Sequence, residues 1–194
     1  MANPAYDKVP PPENAALAAF LSYLVPGLGQ IYQGRVGKGI LFFVCVYTLF
    51  FYGMSLGSWR NVYLPDTAGE DSQTNPWNLP RWAANLYNRP HFVGQFWVGV
   101  AAWPAAYQYN VYDPRRNDDP PLGGFERQPS EAVLQELQRN GDKTWDLAWV
   151  YTVIAGVLNV MVIYDAFAGP AFVVRPGRRE EPPANATVLP SVTP

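Results

Sequence analysis

Three polar side chains could carry chemistry because they lie within or beside long uncharged stretches of this 194-residue chain: Gln95, Asn159 and Asp165. A polar or ionisable group at membrane depth is costly unless it is paired, and such groups commonly line proton or cation pathways. Asn159 and Asp165 are six residues apart, so a helix with 3.6 residues per turn sets them apart around its axis. We expect either transport chemistry or, for Asp165, hydrogen bonding at a helix end or between helices.

Neither a metal site nor a catalytic triad is indicated by the remaining reactive side chains. His91 is the only histidine and Cys45 the only cysteine, and they are far apart in sequence. A hydrolase that pairs Ser22, Ser55 or Ser58 with His91 would lack the G-x-S-x-G turn that exposes the nucleophile. The sequence therefore predicts a protein that is not an enzyme and that uses no metal and no cofactor.

Small residues recur at positions where helices could approach each other closely. Gly53 and Gly57 form a small-x-x-x-small pair, and Ala155 precedes Gly156 in a later apolar stretch. Such surfaces allow close contact between membrane helices. They predict helix packing within the chain or, alternatively, self-association.

The elements that would position these residues are four stretches without a formal charge, each long enough to cross a bilayer as a helix. Tryptophan and tyrosine flank many of them, as expected for rings at the lipid headgroup level. We therefore expect an all-α fold, an integral membrane bundle of about four transmembrane helices with polar connectors and disordered tails. The stretches are residues 15–34, 39–59, 92–112 and 147–164.

The first and third stretches have alternative interpretations. A cleaved signal peptide could explain the first, because Lys8 precedes it and Pro26 could end its helix. The third contains Pro104 and several amides, so a soluble amphipathic helix is the alternative to a span that is kinked near Pro104. The predicted division of the chain is a flexible tail at 1–14, a two-helix membrane hairpin at 15–59, a polar or interfacial loop at 60–90, a second membrane half at 91–168 with an extramembrane connector at 113–143, and a disordered tail at 169–194.

The two connectors could also contain short helices. Residues 79–88 could form a helix along the membrane surface or, alternatively, a loop packed on the bundle. Ser130 precedes a segment with one narrow apolar face, which predicts a helix packed on the bundle or docked on a partner.

The hairpin carries a motif, Pro26-Gly27-Leu28-Gly29-Gln30-x-Tyr32-x-Gly34 followed by Lys38-Gly39, that resembles the two-transmembrane-helix domain family. The segment from Asp146 to Pro170 is similar to a family of uncharacterised bacterial proteins that add further spans to such a hairpin. The resemblance implies a membrane topology and no particular reaction. One departure is Gly34-Arg35-Val36, where members of the hairpin family often carry an acidic-basic-aromatic triplet.

The expected surroundings follow from this layout. The lipid bilayer is the main partner, together with a second copy of the chain or other membrane proteins. A net charge of −2 argues against nucleic acid. We expect a multi-pass protein of the bacterial inner membrane that acts as a non-enzymatic scaffold or assembly component, with a small transporter or channel subunit as the alternative.

Overall fold

The computed structural model describes residues 14–65, 77, 79–112, 120–140 and 143–169, and this part of the chain is all-helical. Nearly all of the two predicted disordered tails lies outside these residues. The helices are α1 (Ala15–Leu24), α2 (Leu28–Tyr32), α3 (Val36–Leu56), α4 (Arg81–Asn88), α5 (His91–Phe96), a 3-10 turn (Val100–Ala102), α6 (Trp103–Val111), α7 (Glu131–Asn140) and α8 (Lys143–Ala168).

Helices α3 and α8 form the long antiparallel pair on which the other elements pack. They contain 21 and 26 residues, so at 1.5 Å per residue they are about 32 and 39 Å long. Near one end of the pair Gly53 lies against Ala148 and Thr152. At the other end Lys38 reaches Asp165. These two helices confirm the second and fourth predicted stretches as single helices long enough to cross a bilayer.

Most of the surface of α3 and α8 is not covered by the rest of the chain. Only 28% of the most apolar part of α3 and 33% of that of α8 is buried, whereas the core helix of a soluble protein would be largely buried. Exposed apolar area of this extent marks contact with a membrane or another protein. Large exposed side chains on these helices include Ile40, Leu41, Val44, Phe51, Val157, Met161 and Phe167.

The first predicted stretch is two helices joined by a break. Helix α1 ends at Leu24 and α2 begins at Leu28. Pro26 has no N–H to donate, and Gly27 has φ +85°, a value that favours glycine. A side chain on Gly27 would also overlap the carbonyl oxygen of Gly39 in α3. A continuous helix over 15–34 is therefore not present.

The third predicted stretch is broken as well, and the break is not at Pro104. Helix α5 ends at Phe96, and Gly99 turns the chain with φ +89° before α6 begins. Pro104 lies in the first turn of α6, where a missing N–H costs no helical hydrogen bond. The predicted kink near Pro104 is therefore wrong, because the glycine five residues earlier takes the change of direction.

Helix α5 runs alongside α8 in the same direction. At its start the His91 ring stacks on Trp149, with 4.3 Å between ring centroids. Beyond its end the carbonyl of Trp97 accepts a hydrogen bond from Asn159. The segment thus moves ten positions along α8, from Trp149 to Asn159, and stops in the interior of that helix.

Helix α6 then returns to the end of the bundle from which α5 started. Asn85 of α4, just before α5, donates to the hydroxyl of Tyr109 near the end of α6 over 2.9 Å. The backbone N–H of Ala105 in α6 donates to Glu126, whose own N–H donates to the carbonyl of Trp59 just after α3. Residues 91–111 therefore enter and leave at the same end, and the described residues next to them in the two connectors, Asn85 and Glu126, lie at that end.

Each connector contains a short helix, so residues 79–88 follow the first of the two alternatives that the sequence left open. Helix α4 covers Arg81–Asn88, and Trp82 and Tyr87 on it are exposed. Helix α7 begins directly after Ser130 and ends at Asn140.

Candidate functional site

Buried polar side chains lie in three clusters along one face of α8. Other elements cover this face, and the three clusters follow one another along it at Thr152, Asn159 and Asp165. The covered residues of α8 are Ala148, Thr152, Ala155, Gly156, Asn159, Val162 and Ala166.

The first cluster joins the tip between α2 and α3 to the last turns of α8 through Asp165. The carboxylate of Asp165 lies 2.8 Å from the Arg35 guanidinium and 2.5 Å from the Lys38 ammonium group. The side-chain amide of Gln30 donates to the same carboxylate over 3.2 Å. Asp165 is therefore an interhelical ion-pair residue in the structure, with one-fifth of its side chain exposed.

Gln30 extends this cluster to α1. It is completely buried, and its amide also donates to the backbone carbonyl of Val162 over 2.8 Å. The hydroxyl of Ser22 donates to the amide oxygen of Gln30 over 3.1 Å, and Ser22 in turn accepts from the N–H of Gly29. Helices α1, α2 and α8 thus meet in one connected set of hydrogen bonds.

Asn159 forms the middle cluster, at the level where residues 15–34 and residues 92–112 each break. Its side-chain amide donates to the carbonyl of Trp97 over 2.8 Å and to that of Ser22 over 3.2 Å. In a continuous helix the Ser22 carbonyl would accept from residue 26, but Pro26 has no N–H. The Trp97 carbonyl likewise loses a helical partner because the chain turns at Gly99. Asn159 therefore supplies hydrogen bonds to two carbonyls that the helix breaks leave free.

The third cluster surrounds Gln95 and meets α8 at Thr152, about two helical turns before Asn159. The Gln95 amide donates to the hydroxyl of Thr152 over 2.8 Å and to the carbonyl of Asn61 over 3.2 Å. Arg89 donates to the same Asn61 carbonyl over 2.7 Å and lies over the ring of Tyr63. The three predicted polar positions, Gln95, Asn159 and Asp165, thus all face inward, but each belongs to a different cluster.

Three amide oxygens in these clusters have no hydrogen-bond partner among the described residues. They belong to Asn61, Gln95 and Asn159. Buried polar atoms of native proteins are almost always paired, so each of these oxygens can accept a further donor.

The four predicted helix-packing positions lie at contacts within the chain. A Cβ on Gly156 would overlap the carbonyl oxygen of Gly94 in α5, and one on Gly53 would lie 2.8 Å from the Ala148 carbonyl oxygen. Gly57 packs against the side chain of Asn61, and Ala155 is fully buried. These contacts bring α3 and α5 against α8, and the four positions offer no free face for a partner.

A different face of α3 carries exposed polar groups at regular spacing, and on it Tyr52 makes a ring contact with α8, edge-on to Tyr151 with 5.2 Å between ring centroids. Cys45, Thr48, Tyr52 and Ser55 are exposed and follow a three-four-three spacing, which aligns them along one side of the helix. We call these four residues, three with a hydroxyl group and Cys45 with a thiol, the hydroxyl stripe. In the described part of the chain no hydrogen bond reaches any of the four side chains.

His91, the only histidine, stacks on Trp149. Burial and the neighbouring Arg89 lower the pKa of His91. No group of three or more His, Cys, Asp or Glu side chains close enough to hold a metal ion occurs in the described ranges.

Glu126 is a buried acid that the sequence did not single out. It is 1% exposed, its backbone has φ +48°, and Oε2 accepts from the N–H of Ala105 over 2.9 Å. Burial raises the pKa of Glu126 to about 8, against a smaller lowering by the Ala105 hydrogen bond. Glu126 lies in a polar connector where exposure is the normal expectation, so no sequence signal marks it. Gln30, in contrast, belongs to the glycine-rich motif at residues 26–34, and Ser22 lies in the uncharged stretch at residues 15–34.

The fold and these clusters define a small helical protein with two helices that are long and apolar enough to cross a membrane. The chain belongs to a family of unknown function, DUF6677, whose sequence profile matches residues 17–180. This agrees with the expectation of an uncharacterised family. A 29-residue segment is 52% identical to the uncharacterized protein MJ1516 of Methanocaldococcus jannaschii, and it covers 15% of this chain and 29% of that protein. No solved structure gives a significant match to the chain.

Proposed function

We propose that the protein crosses the membrane with α3 and α8 and that it is a non-enzymatic assembly component, which associates with a second copy of itself through the hydroxyl stripe. We further propose that it is a multi-pass protein of the bacterial inner membrane. The observation that carries the proposal is the row of polar groups without hydrogen-bond partners on the exposed face of α3.

The chemistry of the hydroxyl stripe favours a protein partner over lipid. Thr48 and Tyr52 lie on a helix of 21 residues whose other exposed side chains are mostly apolar. Lipid chains offer no hydrogen-bond partner, whereas Ser, Thr and similar side chains pair across membrane helices. A second copy of α3 presents the same stripe, so hydroxyl groups and small side chains can meet about a two-fold axis.

The competing small-residue faces do not offer such a surface. Gly53 and Gly156 are already in contact with α8 and α5. Self-association through these positions, one of the alternatives that the sequence left open, would require the bundle to open. The hydroxyl stripe requires no rearrangement of the chain.

Cys45 allows a direct test because it is the only cysteine and lies near the middle of α3. In a parallel dimer around the hydroxyl stripe, the two Cys45 side chains lie at the same depth. Mild oxidation of native membranes should therefore join two full-length chains by a Cys45 disulfide. The readout is a dimer on non-reducing gels that disappears on reduction.

The matched control moves the cysteine to an equally lipid-facing position on the other long helix. Val157 in α8 is 53% exposed, so Cys45→Ser combined with Val157→Cys should give little or no dimer. Thr48→Leu together with Tyr52→Phe should reduce crosslinking of the native Cys45. The proposal fails if Cys45 forms no dimer or if the cysteine introduced by Val157→Cys crosslinks as readily.

A transport role is the second candidate, and the unpartnered amide oxygens favour it. Oxygens of Asn61, Gln95 and Asn159 lie buried along α8 without donors among the described residues, and amide oxygens can bind hard cations or water. Purified protein in liposomes should then conduct a monovalent cation, with loss of flux in Gln95→Leu. Liposomes that show no flux above that of empty vesicles would exclude this role.

A further inference from the structure

A cavity of about 610 Å³ lies beside α6, at the end of the bundle where the connectors meet. Its walls come from the segment after α3, from α6 and from the connector before α7. This volume is within the range of sites that bind small ligands. The residues that matter for its chemistry are Arg60, Gln108, Tyr112, Glu126 and Arg127.

Two guanidinium groups in this cavity have no acidic partner in the part of the chain that the structure describes. Arg60 is exposed and lies against Gly124, so that a side chain at Gly124 would contact its guanidinium. Arg127 lies over the ring of Tyr112, 4.1 Å from its centroid. Within the described ranges the only ion pairs are those of Asp165 at the far end of the bundle. Guanidinium groups without a carboxylate partner are well suited to bind a phosphate through paired hydrogen bonds.

The acid in the cavity does not neutralise these cations at neutral pH. Glu126 is buried, and its pKa of about 8 keeps most of it protonated at pH 7. Oε1 of Glu126 and the amide oxygen of Gln108 have no hydrogen-bond partner among the residues that the structure describes. The cavity therefore keeps the positive charge of its arginines and holds polar groups that can adjust to a ligand.

Aromatic side chains place the cavity at the depth of the lipid headgroups, if α3 and α8 cross the membrane as proposed. Trp59, directly after α3, stacks on Phe125, which precedes Glu126. Tryptophan is enriched at this level of membrane proteins. An anionic group of a lipid could thus reach the cavity from the side, and a soluble anion could reach it from water.

We propose that this cavity binds a phosphate group, either of an anionic lipid headgroup or of a soluble phosphoester, with Arg60 and Arg127 as its cationic ligands. The lipid source depends on the proposed membrane crossing, whereas the soluble source does not. Around Glu126 the other titratable or charged groups lining the cavity are Arg60, Arg127, Tyr63, Tyr109 and Tyr112. Ionisation of Glu126 above pH 8 adds a negative charge to the wall of the cavity and weakens binding of an anion.

The test uses the purified full-length protein in a non-ionic detergent with two probes. Glycerol 3-phosphate is titrated by calorimetry, and phosphatidylglycerol is compared with diacylglycerol, which has no phosphate, by native mass spectrometry. Arg60→Gln and Arg127→Gln should each weaken binding of the preferred probe by about tenfold, the loss expected for one charge-assisted hydrogen-bonding group. Arg139→Gln on α7 removes the same charge away from the cavity and should leave affinity unchanged.

The possible results separate the two sources and the two proposals. Preference for phosphatidylglycerol over diacylglycerol without binding of glycerol 3-phosphate assigns the lipid source. Binding of glycerol 3-phosphate without a preference for phosphatidylglycerol assigns the soluble source. Absence of binding by both probes overturns the phosphate site, as does equal weakening by Arg139→Gln. Because Cys45 crosslinking does not involve the cavity, its success or failure tests the assembly proposal separately.

Discussion

Replacing Glu126 by Gln keeps an oxygen that can accept the hydrogen bond from Ala105 but removes the group that titrates. In the folded protein the pKa of this carboxyl is raised from 4.5 to about 8 because burial disfavours the charged form. The unfolded chain therefore releases this proton at lower pH than the folded chain. Between about pH 4.5 and 8 the contribution of Glu126 to the free energy of unfolding falls as pH rises.

The size of this effect follows from the two pKa values. Below pH 4.5 both states are protonated and no penalty exists, and above pH 8 both are ionised and the penalty is complete. At about 1.4 kcal/mol for each unit of difference between the two pKa values, the full penalty has an upper limit of about 5 kcal/mol. Because Glu126 is 1% exposed, solvent screening reduces this limit little.

The assay is unfolding of the wild type and of Glu126→Gln in detergent between about pH 4 and pH 9, a range that brackets both pKa values. We expect the two proteins to differ little in pH dependence below pH 4.5 and the variant to gain stability over the wild type progressively towards pH 8. Glu136→Gln on α7 removes a carboxylate outside the cavity and serves as the control, with no such gain. A difference between Glu126→Gln and wild type that stays constant over the whole range would refute the account of a buried neutral acid.

Two further substitutions test the packing along α8. Asn159→Leu should destabilise the bundle by about 2–6 kcal/mol, since it leaves two buried carbonyls without a donor at about 1–3 kcal/mol each; an unfolding midpoint equal to that of the wild type would contradict the proposed role of this amide. Gly156→Ala should cost about 1–3 kcal/mol, because its new methyl group overlaps the Gly94 carbonyl and forces α5 away from α8. Gly37→Ala is the matched control in α3: nothing lies within 4 Å of its new Cβ, so thermal unfolding should show no loss, and equal losses at both glycines would count against specific contact of α5 with α8.

The long helices could be predicted from sequence because their signal is local. Residues 36–56 and 143–168 contain long runs without charge, and length and hydropathy alone determine that a helix of this kind can cross a bilayer. The short helix after Ser130 was also predictable, since its start and its apolar spacing lie close together in the sequence.

The helix breaks within residues 15–34 and 92–112 could not be predicted from the sequence in the same way. A segment that enters a bundle and returns is as apolar as one that crosses it, so residues 92–112 have the composition of a span. A bend was expected at Pro104 because proline commonly interrupts helices. The actual turn is at Gly99, which packs against the carbonyl of Tyr23 in α1. Contacts of this kind join residues far apart in the chain and leave no local signal.

The candidate polar residues were predicted by type but not by partner. Asp165 stood out because it ends an uncharged run, yet its pairing with Arg35 and Lys38 follows only from the antiparallel arrangement of α3 and α8. Asn159 stood out as an amide in an apolar run, but its role depends on the breaks at Pro26 and Gly99, which leave the carbonyls of Ser22 and Trp97 free to accept from it.

The topology of the two long helices can be measured most directly by labelling single cysteines with a membrane-impermeant maleimide in intact cells and in opened membranes. In a Cys45→Ser background, three variants each carry one new cysteine: Trp82→Cys in α4, Ser130→Cys before α7 and Gly37→Cys near the tip. With α3 and α8 as the crossing helices and residues 91–111 entering and leaving at one end, the Trp82→Cys and Ser130→Cys variants should be labelled from the same side and the Gly37→Cys variant from the opposite side. Labelling of the Trp82→Cys and Ser130→Cys variants from opposite sides would contradict this arrangement and restore a crossing by residues 92–112.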